Sequence, residues 1–166
     1  MSTLVPALRR RQSTPARRRI VLVDIENLIG GAVLTAHQVD WAKTQLVIAI
    51  GLVDRDQVVI GTSHIGLVTI GTRWERQRYV VRSGDDGADI ALLEVLAEDL
   101  ASRYDEVVLA SGDGIFTDAA AALAAAGVDV HVVAPADALA RRLSLAASRV
   151  TLLPNQYTIS ALGGAA

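Results

Sequence analysis

Short runs of β-branched residues alternate along the chain with Ala- and Leu-rich segments whose apolar positions recur every three or four residues. Ile20-Val21-Leu22-Val23 is apolar at every position, which predicts a strand buried on both faces, and it ends at Asp24. Trp41, Leu46, Ile50 and Val53 predict a helix over 39–53, closed by Asp54-Arg55-Asp56. Gln57 to Gly61 reads as a second strand. His64 to Thr72 reads as a helix, because two parallel strands need a crossover between them. Gln77 to Arg82 is a third strand, and Ser83 to Gly87 a turn that opens a helix over 88–103 with the stripe Ile90, Leu93, Leu96, Ala97 and Leu100. Val107 to Ala110, Val128 to Val133 and Val150 to Leu153 complete the strands. Helices over 115–126, which Gly127 ends, and over 136–147 lie between them.

This alternation predicts an α/β domain with an open, mostly parallel sheet of five to six strands and helices on both faces, a three-layer αβα arrangement. The domain spans 19–154. Residues 1–18 mix Ser, Thr, Pro and Arg without periodicity and read as a flexible Arg-rich arm; 155–166 reads as a flexible tail. A chain of 166 residues that is 51% apolar and 4% aromatic must fill its core with Val, Ile, Leu and Ala.

The absence of cysteine removes disulfides, thiolate zinc sites and thiol nucleophiles, and fits a cytoplasmic protein. No two of His37, His64 and His131 share a helix face at the spacing of a zinc pair, so any metal is expected on oxygen ligands. No apolar run approaches the roughly 18 residues of a membrane span, and Ile20 to Val23 is too short for the apolar region of a signal peptide. Neither a G-x-G-x-x-G turn after the first strand nor a phosphate loop ending in Lys-Ser/Thr occurs; the only lysine is Lys43.

The formal net charge of -2 is unevenly spread. Six arginines (Arg9, Arg10, Arg11, Arg17, Arg18 and Arg19) precede the first acid, so the remainder carries 10 basic against 18 acidic residues, a formal charge of -8. Arg17, Arg18 and Arg19 are therefore candidates for contacts with nucleic-acid phosphates.

In an open parallel sheet, ligands bind beyond the carboxyl ends of the strands, where the strand order reverses. With the order 3-2-1-4-5, Asp24 after the first strand and Asp113 after the fourth are neighbours there, and Asp85, Asp86 and Asp89 reach the same edge. Each of the later acids also suits a helix cap or first turn. Asp24 does not, since no helix is predicted directly after it. Carboxylates gathered on one rim repel one another unless a cation joins them, and without thiolates or paired histidines that cation is Mg²⁺ or Mn²⁺.

Val21-Leu22-Val23-Asp24-Ile25-Glu26-Asn27, Asp86-Gly87-Ala88-Asp89 and Leu109-Ala110-Ser111-Gly112-Asp113-Gly114-Ile115-Phe116 together resemble the NYN domain, a branch of the PIN-like nucleases. The resemblance spans roughly Arg19 to Leu153. It implies a PIN-like fold and metal-dependent ribonuclease activity, with Asp24, Asp89 and Asp113 as metal ligands and catalytic residues. Asn27 would orient a ligand or water, and Ser111 would brace the Asp113 loop and adjoin the substrate. The implied partner is RNA, single-stranded, with no membrane; a homodimer is left open. Two positions depart from the family pattern: Ile115 stands where a second acid is frequent, and Asp86 where a lysine is. Asp118 or Glu94 would have to compensate for that acid. Ile115 therefore supports an alternative, a non-cleaving regulatory or RNA-binding module on the same fold. An aspartyl-phosphate mechanism at Asp24 is disfavoured, because Glu26 replaces the acid expected two residues on and no lysine follows the later acids.

Overall fold

The computed structural model describes residues 17–155; Arg9 to Arg11 and the tail after Asn155 lie outside the described residues. In chain order the elements are β1 (Arg19–Asp24), α1 (Ile25–Ile29), α2 (Ala36–Ile50), β2 (Gln57–Thr62), α3 (His64–Arg73), β3 (Arg78–Val81), α4 (Gly87–Leu96) and α5 (Leu100–Arg103). There follow β4 (Glu106–Ala110), a 3-10 turn (Gly114–Phe116), α6 (Thr117–Ala125), β5 (Asp129–Pro135), α7 (Arg141–Ala146) and β6 (Arg149–Leu153). The six strands form one sheet in the order β3-β2-β1-β4-β5-β6, and every pair is parallel. The expected α/β architecture is present, with a sheet wholly rather than mostly parallel.

The two-residue period of each strand divides its side chains between two cores. Val21, Val23, Val58, Ile60, Val108 and Ala110 join the helices α1 and α2 in one core, with Ile70 of α3. Ile20, Leu22, Val59, Val107, Leu109 and Val132 face the other, with Leu92 of α4, Leu100 of α5, Phe116, Leu123 of α6 and Leu143 of α7. Burying one such aliphatic side chain contributes about 1.5–3 kcal/mol. This explains why the central strands read as unbroken apolar runs. Among the described residues no helix is long and apolar enough to cross a membrane.

Several boundaries differ from those the sequence predicts. The second helix begins at Ala36 because Thr35 and Gln38 form a capping box, and it ends at Gly51 in the left-handed conformation, before Asp54. The helix expected over 88–103 is two, α4 and α5, separated at 97–99. The last helix is confined to Arg141–Ala146. A short helix, α1, follows Asp24 directly, contrary to expectation.

Arg17, Arg18 and Arg19 lie at the amino end of β1, on the rim opposite Asp24. The six residues of β1 separate the rims by about 20 Å. Arg17 pairs with Asp129 at 2.7 Å and Arg18 with Asp105 at 3.5 Å. Arg19 grips Asp56 and donates to the carbonyls of Ile50 (2.9 Å) and Gly51 (3.1 Å) at the end of α2. Asp56 also accepts from the Val53 amide at 2.9 Å, and Arg19 holds its carboxyl below the ordinary range, against the effect of burial. Arg19 thus fastens the turn between α2 and β2. Arg19→Met is expected to destabilise the fold by about 1.5–3 kcal/mol, the worth of a hydrogen bond to a charged group. Urea unfolding checks this; an unchanged midpoint would show that the guanidinium is dispensable.

Candidate active site

The carboxyl ends of β1, β2 and β4 meet where the chain, having stepped outward from β1 to β3, returns to the other side of β1. Asp24 ends β1 beside Gly61 of β2. A side chain at Gly61 would lie 2.6 Å from Leu92 and 3.2 Å from the Ala88 carbonyl, so the bare backbone there lets the first turn of α4 sit over β2. That seating brings Asp89, the third residue of α4, against Asp24.

A cavity of about 180 Å³ opens on this rim, with Asp24, Glu26, Asp86, Asp89 and Asp113 as its carboxylates and Arg82 as its one cation. Asp24, Asp89 and Asp113, drawn from three distant stretches of sequence, therefore border one space. Among the described residues no group of three Asp, Glu or His side chains is arranged to hold a metal ion by itself. Mg²⁺ does not require one, since it keeps several waters and is commonly held by one or two carboxylates together with substrate phosphate.

Asp24 is 3% exposed, and both its oxygens are engaged: Oδ1 accepts from the Asn27 amide at 3.2 Å, and Oδ2 accepts from the Ser111 hydroxyl at 2.8 Å. Its first bond makes it the N-cap of α1. Burial and then the charge of Asp89 push its pKa from 3.8 up to about 8, overcoming the two hydrogen bonds, which favour the ionised form. Asp89 is raised as well, first by burial and then by Asp113, Asp86 and Glu26, with its hydrogen bond to Asp24 opposing. The cost of ionising Asp24 arises first from its burial and then from the neighbouring charge of Asp89, and its capping bond offsets only part of it. Acceptor-only groups crowded until they resist ionisation suit a small hard cation.

Asn27 and Ser111 act as braces. The Asn27 side-chain oxygen accepts from the Gly112 amide at 2.9 Å, and the fully buried Ser111 hydroxyl, while donating to Asp24, accepts from the Asp113 amide at 3.2 Å. Burial keeps Ser111 from direct contact with a substrate. Asp113 Oδ1 caps the 3-10 turn by accepting from the Ile115 amide at 2.8 Å. Ile115 itself is half-buried against the second core. Asp86, in the left-handed conformation at φ 54°, heads α4 without a side-chain capping bond. Asp118 is exposed and absent from the cavity wall, and Glu94 pairs with Arg82 at 3.1 Å; the wall includes neither acid.

Glu26 lines the same cavity, and reading the sequence alone did not single it out. Its Oε1 accepts from the Ser63 amide (2.9 Å), the Ser63 hydroxyl (2.6 Å) and the Thr62 hydroxyl (3.2 Å), which pins the carboxylate to the end of β2. The only sequence signal was its place two residues after Asp24. Arg17, Arg18 and Arg19 are not part of this rim.

Among functionally curated proteins, none matches the chain. The fold resembles the crystal structure of a Vibrio parahaemolyticus protein of unknown function, with a TM-score of 0.55 and 14% identity over 85% of this chain and 96% of that one. The NYN domain family matches residues 18–154, and its members are generally ribonucleases of the PIN-like superfamily that usually use divalent metals. With the match covering most of its length, the chain belongs to the NYN domain family.

Proposed function

We propose that the protein is a ribonuclease that hydrolyses phosphodiester bonds of single-stranded RNA with Mg²⁺ or Mn²⁺. The observation that carries this reading is Asp24: a buried carboxylate, faced by Asp89 and within one cavity of Asp113, whose ionised form needs a cation to offset its burial and its neighbours. Asp24, Asp89 and Asp113 would hold the metal, with Glu26 fixed beside them. When bound, the metal lowers the pKa of a water and offsets charge at the attacked phosphate. Ser111 and Asn27 keep the β1 and β4 loops in register so that Asp24 and Asp113 present their oxygens to the same space. Arg82 is the cation on the wall suited to a phosphate oxygen.

Calorimetric titration of Mn²⁺ into the parent and into Asp24→Asn, Asp89→Asn and Asp113→Asn, beside RNA cleavage with and without EDTA, tests the proposal. Each variant is expected to lose cleavage and to bind the ion more weakly by more than the roughly 10–100-fold that a lost indirect partner costs. Independent helix caps would behave otherwise, because Asn caps almost as well as Asp. Equal metal binding by all four proteins would rule out a shared site. RNA binding without metal-dependent turnover would favour the non-cleaving module, for which Ile115 is the sequence argument.

A further inference from the structure

On the rim opposite the carboxylates, two cavities of about 590 and about 380 Å³ share Arg55, Asp56 and Gln57 and so form one groove past the starts of β2 and β3. Eight arginine and lysine side chains line it against three carboxylates, Asp54, Asp56 and Glu75. Five of those cations are engaged: Arg17, Arg18 and Arg19 as described, and Arg78 and Arg103 both on Glu98. Lys43, Arg55 and Arg76 are exposed and make no ion pair or side-chain hydrogen bond among the described residues. Arg76 moreover holds φ 64°, a left-handed conformation that costs a non-glycine residue about 1–2 kcal/mol and that recurs at ligand clamps.

We infer that this groove is a second contact for the phosphate backbone of RNA, resting on the reading that the opposite rim acts on RNA. The acidic rim sets five carboxylates against one arginine and repels phosphate, so little affinity can originate there before a metal binds. Beyond its five engaged cations the groove holds three free ones against Asp54 and Glu75, a positive excess, at a distance of about 20 Å from the acidic rim, more than twice the Debye length of about 8 Å at physiological salt. Lys43, Arg55 and Arg76 supply the contacts, since they bind an anion without giving up a partner. Each phosphate neutralised on a single strand releases counterions and adds about 0.7 to the slope of log affinity against log salt.

The test measures binding by the full chain in EDTA and turnover in Mn²⁺, with single-stranded homopolymers of about 16 and about 4 nucleotides, which bracket the single-strand site sizes of OB-fold proteins. Combining Lys43→Gln, Arg55→Gln and Arg76→Gln is expected to flatten the salt slope on the longer RNA by about 2. Its affinity should fall at least 10-fold, while metal-supported kcat on the shorter RNA stays at the parent value. All three residues are exposed, and circular dichroism checks that the variant folds. An unchanged slope and affinity would overturn the inference even if the parent cleaves RNA. A flattened slope in a protein that never cleaves would support the groove and overturn the nuclease reading instead. Equal RNA binding together with lost binding of a polyglutamate peptide would show that the groove takes acidic protein segments.

Discussion

Gly112→Ala is expected to destabilise the protein by about 1–3 kcal/mol and to slow RNA cleavage about 100-fold. A Cβ at this position would collide with the Ala138 carbonyl oxygen, 2.6 Å from its carbon and 2.9 Å from Leu139 Cα, all backbone atoms that cannot swing aside. The Gly112 carbonyl also accepts from the Ala140 amide at 2.8 Å, so the segment before α7 is tied to the same peptide. Displacing the loop would break the Gly112 amide's bond to Asn27 and move Asp113, which follows directly, and a shift of about 1 Å in such a group costs about 100-fold. Urea unfolding gives the first quantity and single-turnover cleavage at saturating Mn²⁺ the second. A variant that keeps parental stability and rate would show that the 138–140 backbone yields easily and that this packing does not set the carboxylate.

In metal-free buffer the protein is expected to lose stability as pH rises from about 6.5 to about 8, and Asp24→Asn to lose much less. The Asp24 carboxyl titrates near 3.8 unfolded and at about 8 folded, so the folded state holds its proton more tightly. Its contribution is complete below the unfolded value and disappears as pH climbs through the folded one, with a slope of at most about 1.4 kcal/mol per pH unit for one proton. Asp89, also raised, acts in the same sense. His131 acts in the opposite sense at lower pH: burial lowers it from 6.5 to about 4, so its contribution grows as pH rises between those values. Above 6.5 the carboxylates remain. Mn²⁺ should restore the parent at pH 8 but not the variant. If parent and variant give parallel, flat profiles in EDTA, Asp24 is already ionised and the crowding ascribed to it is absent.

The strands were legible because β-branched runs buried on both faces leave few other readings, and the placement of β1, β2 and β4 then put Asp24 and Asp113 on one edge. The motif around Asp86-Gly87-Ala88-Asp89 added Asp89. What escaped was set by contacts between distant residues. A five-residue helix such as α1 offers no periodicity to detect, so the N-cap role of Asp24 was invisible. Leu96 and Leu100 keep helical spacing across the break between α4 and α5, and neither Gly nor Pro marks it. Arg17, Arg18 and Arg19 read as candidates for phosphate contacts because their partners, Asp129, Asp105 and Asp56, lie far along the chain. Glu26 required knowing that Thr62 and Ser63 end the neighbouring strand.

The two cross-ties, Ser111 to Asp24 and the Gly112 amide to Asn27, join residues 87 and 85 positions apart. Synthesis must therefore run past Asp113 before the rim can close, and β1 waits for β4 as its second neighbour in the sheet. A nascent or truncated chain that stops before β4 has Asp24, Asn27 and Asp89 but neither cross-tie nor third acid, and its rim is incomplete. A cut in the loop between α5 and β4 would leave Asp24 and Asp89 on one fragment and Ser111 and Asp113 on the other, so that the rim forms only where the two halves pair.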